Sequence, residues 1–133
     1  MIKVYVDAAT KGNPGPSGGG FVLLTEKKQV QKSFPLQNLT NHQAEFAALS
    51  YLLDYLHEQK RTHTTIIIYT DSKVVSQAIE KNYSKNPDFI PYLQEIKEKI
   101  SHFTLLIIQW IPESKNKGAD NLAKQGLQKA LKL

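Results

Sequence analysis

The segment Thr65-Ile66-Ile67-Ile68-Tyr69-Thr70 most constrains what this chain can become. Branching at Cβ favours extended backbone, and a nearly unbroken run of this kind suits a strand covered on both faces. It reads as a central strand in a sheet with helices on its faces. Ile2, Val4 and Val6 alternate with Lys3, Tyr5 and Asp7, which predicts a strand over 2–7. Phe21 to Leu24 and roughly Val30 to Phe34 predict two more, joined by the polar residues 25–28. Such short connections imply an antiparallel meander. Five of the seven glycines fall within 12–20, so 8–20 reads as a turn or loop.

The rest is helical in period, with one further strand. Thr40 or Asn41 can cap a helix running to about Glu58. Asp71-Ser72 opens a second helix, residues 87–100 form a third and 117–131 a fourth, with a fifth strand at 104–111. The order βββ-α-β-α-α-β-α predicts one mixed α/β domain over residues 1–133, its later strands joined by helical crossovers and so parallel.

Composition removes several function classes. With no Cys there is no disulfide framework, thiolate metal site or cysteine nucleophile. Apolar runs are far too short for a membrane span, and the opening residues lack a signal-peptide core, so a cytoplasmic protein without membrane association is expected. No Gly-Lys-Ser/Thr follows the glycines, which excludes a P-loop. A strand at Phe21–Leu24, where a dinucleotide fingerprint needs a helix, excludes that site and leaves no organic cofactor implied. The net charge of +5 is compatible with a polyanionic partner.

The acids are more telling. At 100° per residue, Leu49, Leu52 and Leu56 lie within about 40° of Glu45, so Glu45 falls on the apolar stripe of its helix. A carboxylate there is costly unless paired or metal-bound. Asp71 follows the buried strand, where open α/β sheets place ligands, although Asp is also a favoured helix cap. Asp7 precedes the glycines and could simply start a turn. Asp120 lies in the first turn of the last helix and could simply complement its dipole. If strands one and four are neighbours, Asp7 and Asp71 can meet. Four carboxylates in one pocket could not all stay ionised without a cation. Oxygen donors without Cys or paired His suit hard divalent ions, two of which could clamp a phosphodiester and activate water.

These residues also carry a family resemblance. Tyr5-Val6-Asp7-Ala8-Ala9 with Gly12-Asn13-Pro14-Gly15-Pro16, then Thr40-Asn41-His42-Gln43-Ala44-Glu45, Tyr69-Thr70-Asp71-Ser72, and Trp110-Ile111-Pro112 with Asn116-Lys117-Gly118-Ala119-Asp120-Asn121-Leu122-Ala123 resemble the four motifs of ribonuclease H type 1, in order and across the chain. The resemblance implies a ribonuclease H-like fold, a five-stranded mixed sheet of order 3-2-1-4-5 whose first three strands are antiparallel. It implies an endoribonuclease that cuts the RNA strand of RNA–DNA hybrids with two Mg²⁺ or Mn²⁺ ions. By motif position Asp7 would bridge both ions, Glu45 and Asp71 would complete one site, and Asp120 would help hold the other. Gly12, Asn13, Asn41, Lys73 and Asn116 occupy positions where the resemblance implies nucleic-acid contact. A monomer is the default expectation.

The sequence departs from the family in two places. Many members carry a His in the loop before the last motif, whereas Glu113-Ser114-Lys115-Asn116-Lys117-Gly118 has none. The four His are at 42, 57, 63 and 102, and only His42, three residues before Glu45, could approach the acids. The basic, Trp-rich protrusion of some members is also missing: Lys81, Lys85, Lys97 and Lys99 are interleaved with Glu80, Glu95 and Glu98, as on a solvated helix face. The first departure bears on turnover more than on the reaction class, and the second points to weak hybrid affinity with strong salt dependence. They keep open an alternative, a hybrid or double-stranded-RNA binding module with little or no catalysis.

Overall fold

The structure, a computed structural model, describes residues 1–133. Three strands, β1 (Ile2–Thr10), β2 (Gly15–Leu24) and β3 (Gln29–Leu39), form the antiparallel meander. Helix α1 (Asn41–Glu58) crosses to β4 (Ile66–Thr70), which lies parallel to β1. Helices α2 (Lys73–Lys81) and α3 (Ile90–Ile100) lead to β5 (Leu106–Trp110), parallel to β4, and α4 (Lys117–Leu131) ends the chain. The sheet order is β3-β2-β1-β4-β5.

Local chemistry accounts for the helix starts. At α1 the Thr40 hydroxyl accepts the Gln43 N–H at 3.2 Å while the Gln43 side chain accepts the Thr40 N–H at 3.0 Å, so two orphan donors are satisfied reciprocally. At α2 the cap is Ser72, whose hydroxyl accepts the Val75 N–H at 3.2 Å, and Asp71 has no part in it. The segment expected as one helix over 87–100 divides into a 3-10 turn at Pro87–Phe89 and α3.

The main core lies between one sheet face and α1 and α3. Val4, Val6, Ile66 and Ile68 pack there with Phe46, Leu49, Leu52, Leu53, Leu56 and Ile96. Helices α1 and α3 are also clamped by Lys99, whose Nζ reaches Ser50 Oγ at 2.6 Å, Glu95 Oε1 at 2.8 Å and Asp54 Oδ2 at 3.0 Å. Lys99 is therefore part of an interhelix network rather than of a solvated face.

The opposite face is covered by α4, and here the glycine reading needs correction. Residues 8–10 continue β1, and Gly15 to Gly20 belong to β2, with Asp7 opposite Gly20 and Ala9 opposite Gly18. Gly18 and Gly20 make room for a helix. A Cβ on Gly18 would stand 2.0 Å from the Leu127 nitrogen, and one on Gly20 would stand 2.5 Å from the Ala123 nitrogen. The α4 backbone thus lies directly on β2. No helix of the protein is long and apolar enough to cross a membrane.

Candidate active site

The four acids singled out in the sequence stand at one end of the sheet. Val6 faces the main core, so strand alternation turns Asp7 to the α4 side. Asp71 follows Thr70 at the end of β4, which pairs with Val6. Glu45 comes from the second turn of α1 and Asp120 from the first turn of α4.

Asp7 and Asp71 form the inner pair, within hydrogen-bonding reach of each other. Burial, then the Asp71 carboxylate, pushes the Asp7 pKa up to about 8, and Asp120 and Glu45 add to the rise against the Ala8 N–H. The Asp71 pKa is also raised, first by burial and further by Glu113 and Asp120, while the Asn116 amide beside it favours the ionised form.

The outer pair is differently engaged. Glu45 sits at the rim rather than on the buried stripe, its side chain 20% exposed, with Oε1 2.8 Å from His42 Nδ1. Asp120 Oδ2 lies 3.0 Å from Lys124 Nζ, one turn along α4. Consequently no three Asp, Glu or His side chains stand together as a ready-made metal cluster. The inner pair nevertheless offers hard oxygen donors and too much negative charge for full ionisation at neutral pH. A buried acceptor, the Oδ1 of Asn116, also has no hydrogen-bond partner. That donor set suits a hard divalent cation, provided Glu45 and Asp120 leave their helix partners.

The expected nucleic-acid contacts are placed unevenly. Gly12 and Asn13 are exposed in the β1–β2 turn, and Asn41 is exposed at the start of α1. Asn13 Oδ1 accepts the Asn41 N–H at 3.0 Å, which ties that turn to the helix. Lys73 Nζ lies 5.0 Å from the Trp110 ring centroid, and the Trp110 indole N–H donates to the Asp71 carbonyl at 3.2 Å. Asn116 differs from the expectation. It is only 1% exposed, so it has no free surface for a groove contact, and its Nδ2 donates to the Val6 carbonyl at 2.9 Å.

Two participants were not foreseen from the sequence. Lys124 was readable in principle, since a Lys four residues after Asp120 on a helix is a standard pairing. The tether from Trp110 to Asp71 depends on β4–β5 register and leaves no local signal.

The family model described as reverse transcriptase-like matches residues 5–126. The chain is 50% identical over 129 residues to EbsB of Enterococcus faecalis, covering 97% of this chain and 96% of that one, a protein whose name goes no further than a broad hydrolase class. It is 31% identical over 143 residues to the ribonuclease H of Helicobacter pylori, covering 98% and 96%. Among solved structures, LC11-RNase H1 in complex with an RNA/DNA hybrid superposes with a TM-score of 0.88, at 28% identity over 98% of this chain and 99% of that one. The fold and the order of its acid-bearing elements define a ribonuclease H-like protein. The chain belongs to the ribonuclease H type 1 family.

Proposed function

We propose that this protein is an endoribonuclease that hydrolyses the RNA strand of RNA–DNA hybrids with two divalent ions, Mg²⁺ or Mn²⁺. The observation that carries this reading is Asp7, buried beside Asp71 at the sheet end with its pKa raised to about 8. A scaffold gains nothing from such a pair, whereas a cation would convert its cost into binding free energy. Asp7 would hold both ions, Glu45 and Asp71 would complete one site, and Asp120 would serve the other. Bound there, the ions supply Lewis acidity and a water nucleophile at neutral pH.

The chain's own residues do the remaining tasks. Asn13 and Asn41, already joined to each other, present a fixed polar edge to the RNA backbone and its 2′-hydroxyls, the groups that distinguish RNA from DNA. Lys73, held over Trp110, supplies a positive charge at the rim. The water oxygen bonds to phosphorus and gives up a proton as the P–O bond to the leaving oxygen breaks, and that oxygen takes up a proton to leave as a hydroxyl. We further place the protein in the cytoplasm, acting as a monomer without an organic cofactor.

A second reading, a hybrid or double-stranded-RNA binding module with little turnover, draws on the His42–Glu45 and Lys124–Asp120 pairs, which compete for two of the four acids. The test is incubation of a labelled RNA–DNA hybrid with protein and Mg²⁺ or Mn²⁺, beside Asp7→Asn and Asp71→Asn. Cleavage by the wild type, abolished in both variants, supports the enzyme. Retained hybrid binding without cleavage in either metal selects the binding module.

A further inference from the structure

Asn116 joins β1 to the start of α4, with its side chain on the strand and its backbone on the helix. Its Nδ2 donates to the carbonyl of Val6, the residue before Asp7, at 2.9 Å. Its own carbonyl accepts the Asp120 N–H at 3.0 Å. It stands at the N-cap position of α4, yet its side chain makes no capping bond to that helix. It is 1% exposed, and its Oδ1 is buried with no partner.

Each observation argues against a simpler role. An N-cap Asn normally turns its side chain back to the helix N–H groups. Here the amide is spent instead on a strand 110 residues earlier in the chain. A surface contact to RNA would need exposure, which Asn116 lacks. A purely structural buried amide would be expected to satisfy its oxygen, because an unpaired buried acceptor costs about 1–3 kcal/mol. An uncompensated polar group at a site edge is the type of local cost that functional sites retain.

We propose that Asn116 is a positioning residue that fixes Asp7 on β1 and Asp120 on α4 at the spacing needed to share divalent ions. This rests on the metal-dependent reading above. The role is indirect: Asn116 acts through the carboxylates and touches neither RNA nor the reacting phosphate.

The test uses Asn116→Ala and Asn116→Ser, both of which lack the amide donors. Three quantities are measured on the intact protein: Mn²⁺ affinity by calorimetry without nucleic acid, hybrid affinity in EDTA, and kcat and KM for hybrid cleavage. Outer-shell partners of metal sites typically contribute about 10–100-fold, so Mn²⁺ affinity should weaken by about tenfold or more in Asn116→Ala. Cleavage should lose kcat with little change in KM, and hybrid affinity in EDTA should stay at the wild-type value. Weakened hybrid binding with unchanged Mn²⁺ affinity would make Asn116 an RNA contact and overturn the proposal. A lowered melting temperature with all three quantities unchanged would reduce it to a structural residue. Should Asn116→Ala not fold, the same outcomes are read from Asn116→Ser, which removes the amide without adding a carboxylate. Wild-type protein that binds no Mn²⁺ would sink the metal reading itself, whereas wild-type binding with unaltered variants sinks only the Asn116 assignment.

Discussion

Asp7 carries a proton at a pH where an ordinary carboxyl has long lost it. Its pKa is pushed up from 3.8 to about 8, first by burial and then by Asp71. Between those values the folded protein therefore holds a proton that the unfolded chain has released, and stability falls as pH rises through the window. Asp7→Asn removes this dependence. In metal-free buffer, urea melts should show the variant gaining on the wild type between pH 5 and pH 8, where it should be the more stable. Wild-type protein with a flat profile over that range would contradict the burial argument. Mg²⁺ should recover wild-type stability at pH 8 and leave Asp7→Asn nearly unmoved, because a ligand of the folded state stabilises it by mass action. Of this site, the placement of Asp71 and Asp120 at element boundaries was legible, whereas Asp7, which read as the end of its strand, lies inside β1, which runs on to Thr10. The bond from Asn116 to Val6 was not legible, because it spans 110 residues and follows no local period.

At the scale of elements, the helices read most directly. α1 begins at Asn41 after its Thr40 cap, and α4 spans Lys117–Leu131 as its apolar spacing predicts. The glycine stretch misled because glycine has two uses, to turn a chain and to admit a neighbour. Only the second applies at Gly18 and Gly20, and which use prevails depends on α4, about a hundred residues later. Gly20→Ala should consequently push α4 off β2. Overpacking of this kind costs about 1–3 kcal/mol, and thermal or urea unfolding would measure it. The displacement also moves Asp120 relative to Asp7, so Mn²⁺ affinity should fall with stability.

The whole molecule combines a net charge of +5 with four acids gathered at one sheet end. On the proposed function, attraction to a hybrid comes from scattered lysines, since the α2–α3 region has no Trp and Lys99 is engaged between helices. Hybrid affinity should accordingly fall steeply as salt is raised from 50 to 200 mM, and Lys73→Ala should reduce the slope of log affinity against log salt by about 1. A slope unchanged by that substitution would remove Lys73 from the contact surface. The overall α/β architecture was readable because each strand and helix declares itself by period. How the elements share one site was not, because that depends on α4 closing over β1 and β2. This dependence has a consequence for folding. Asp7 lies in β1 and Asp120 in the first turn of α4, more than a hundred residues apart. A chain that has formed its sheet but not docked α4 therefore does not yet hold all four acids together, and the acidic end is completed only by a contact of long sequence separation.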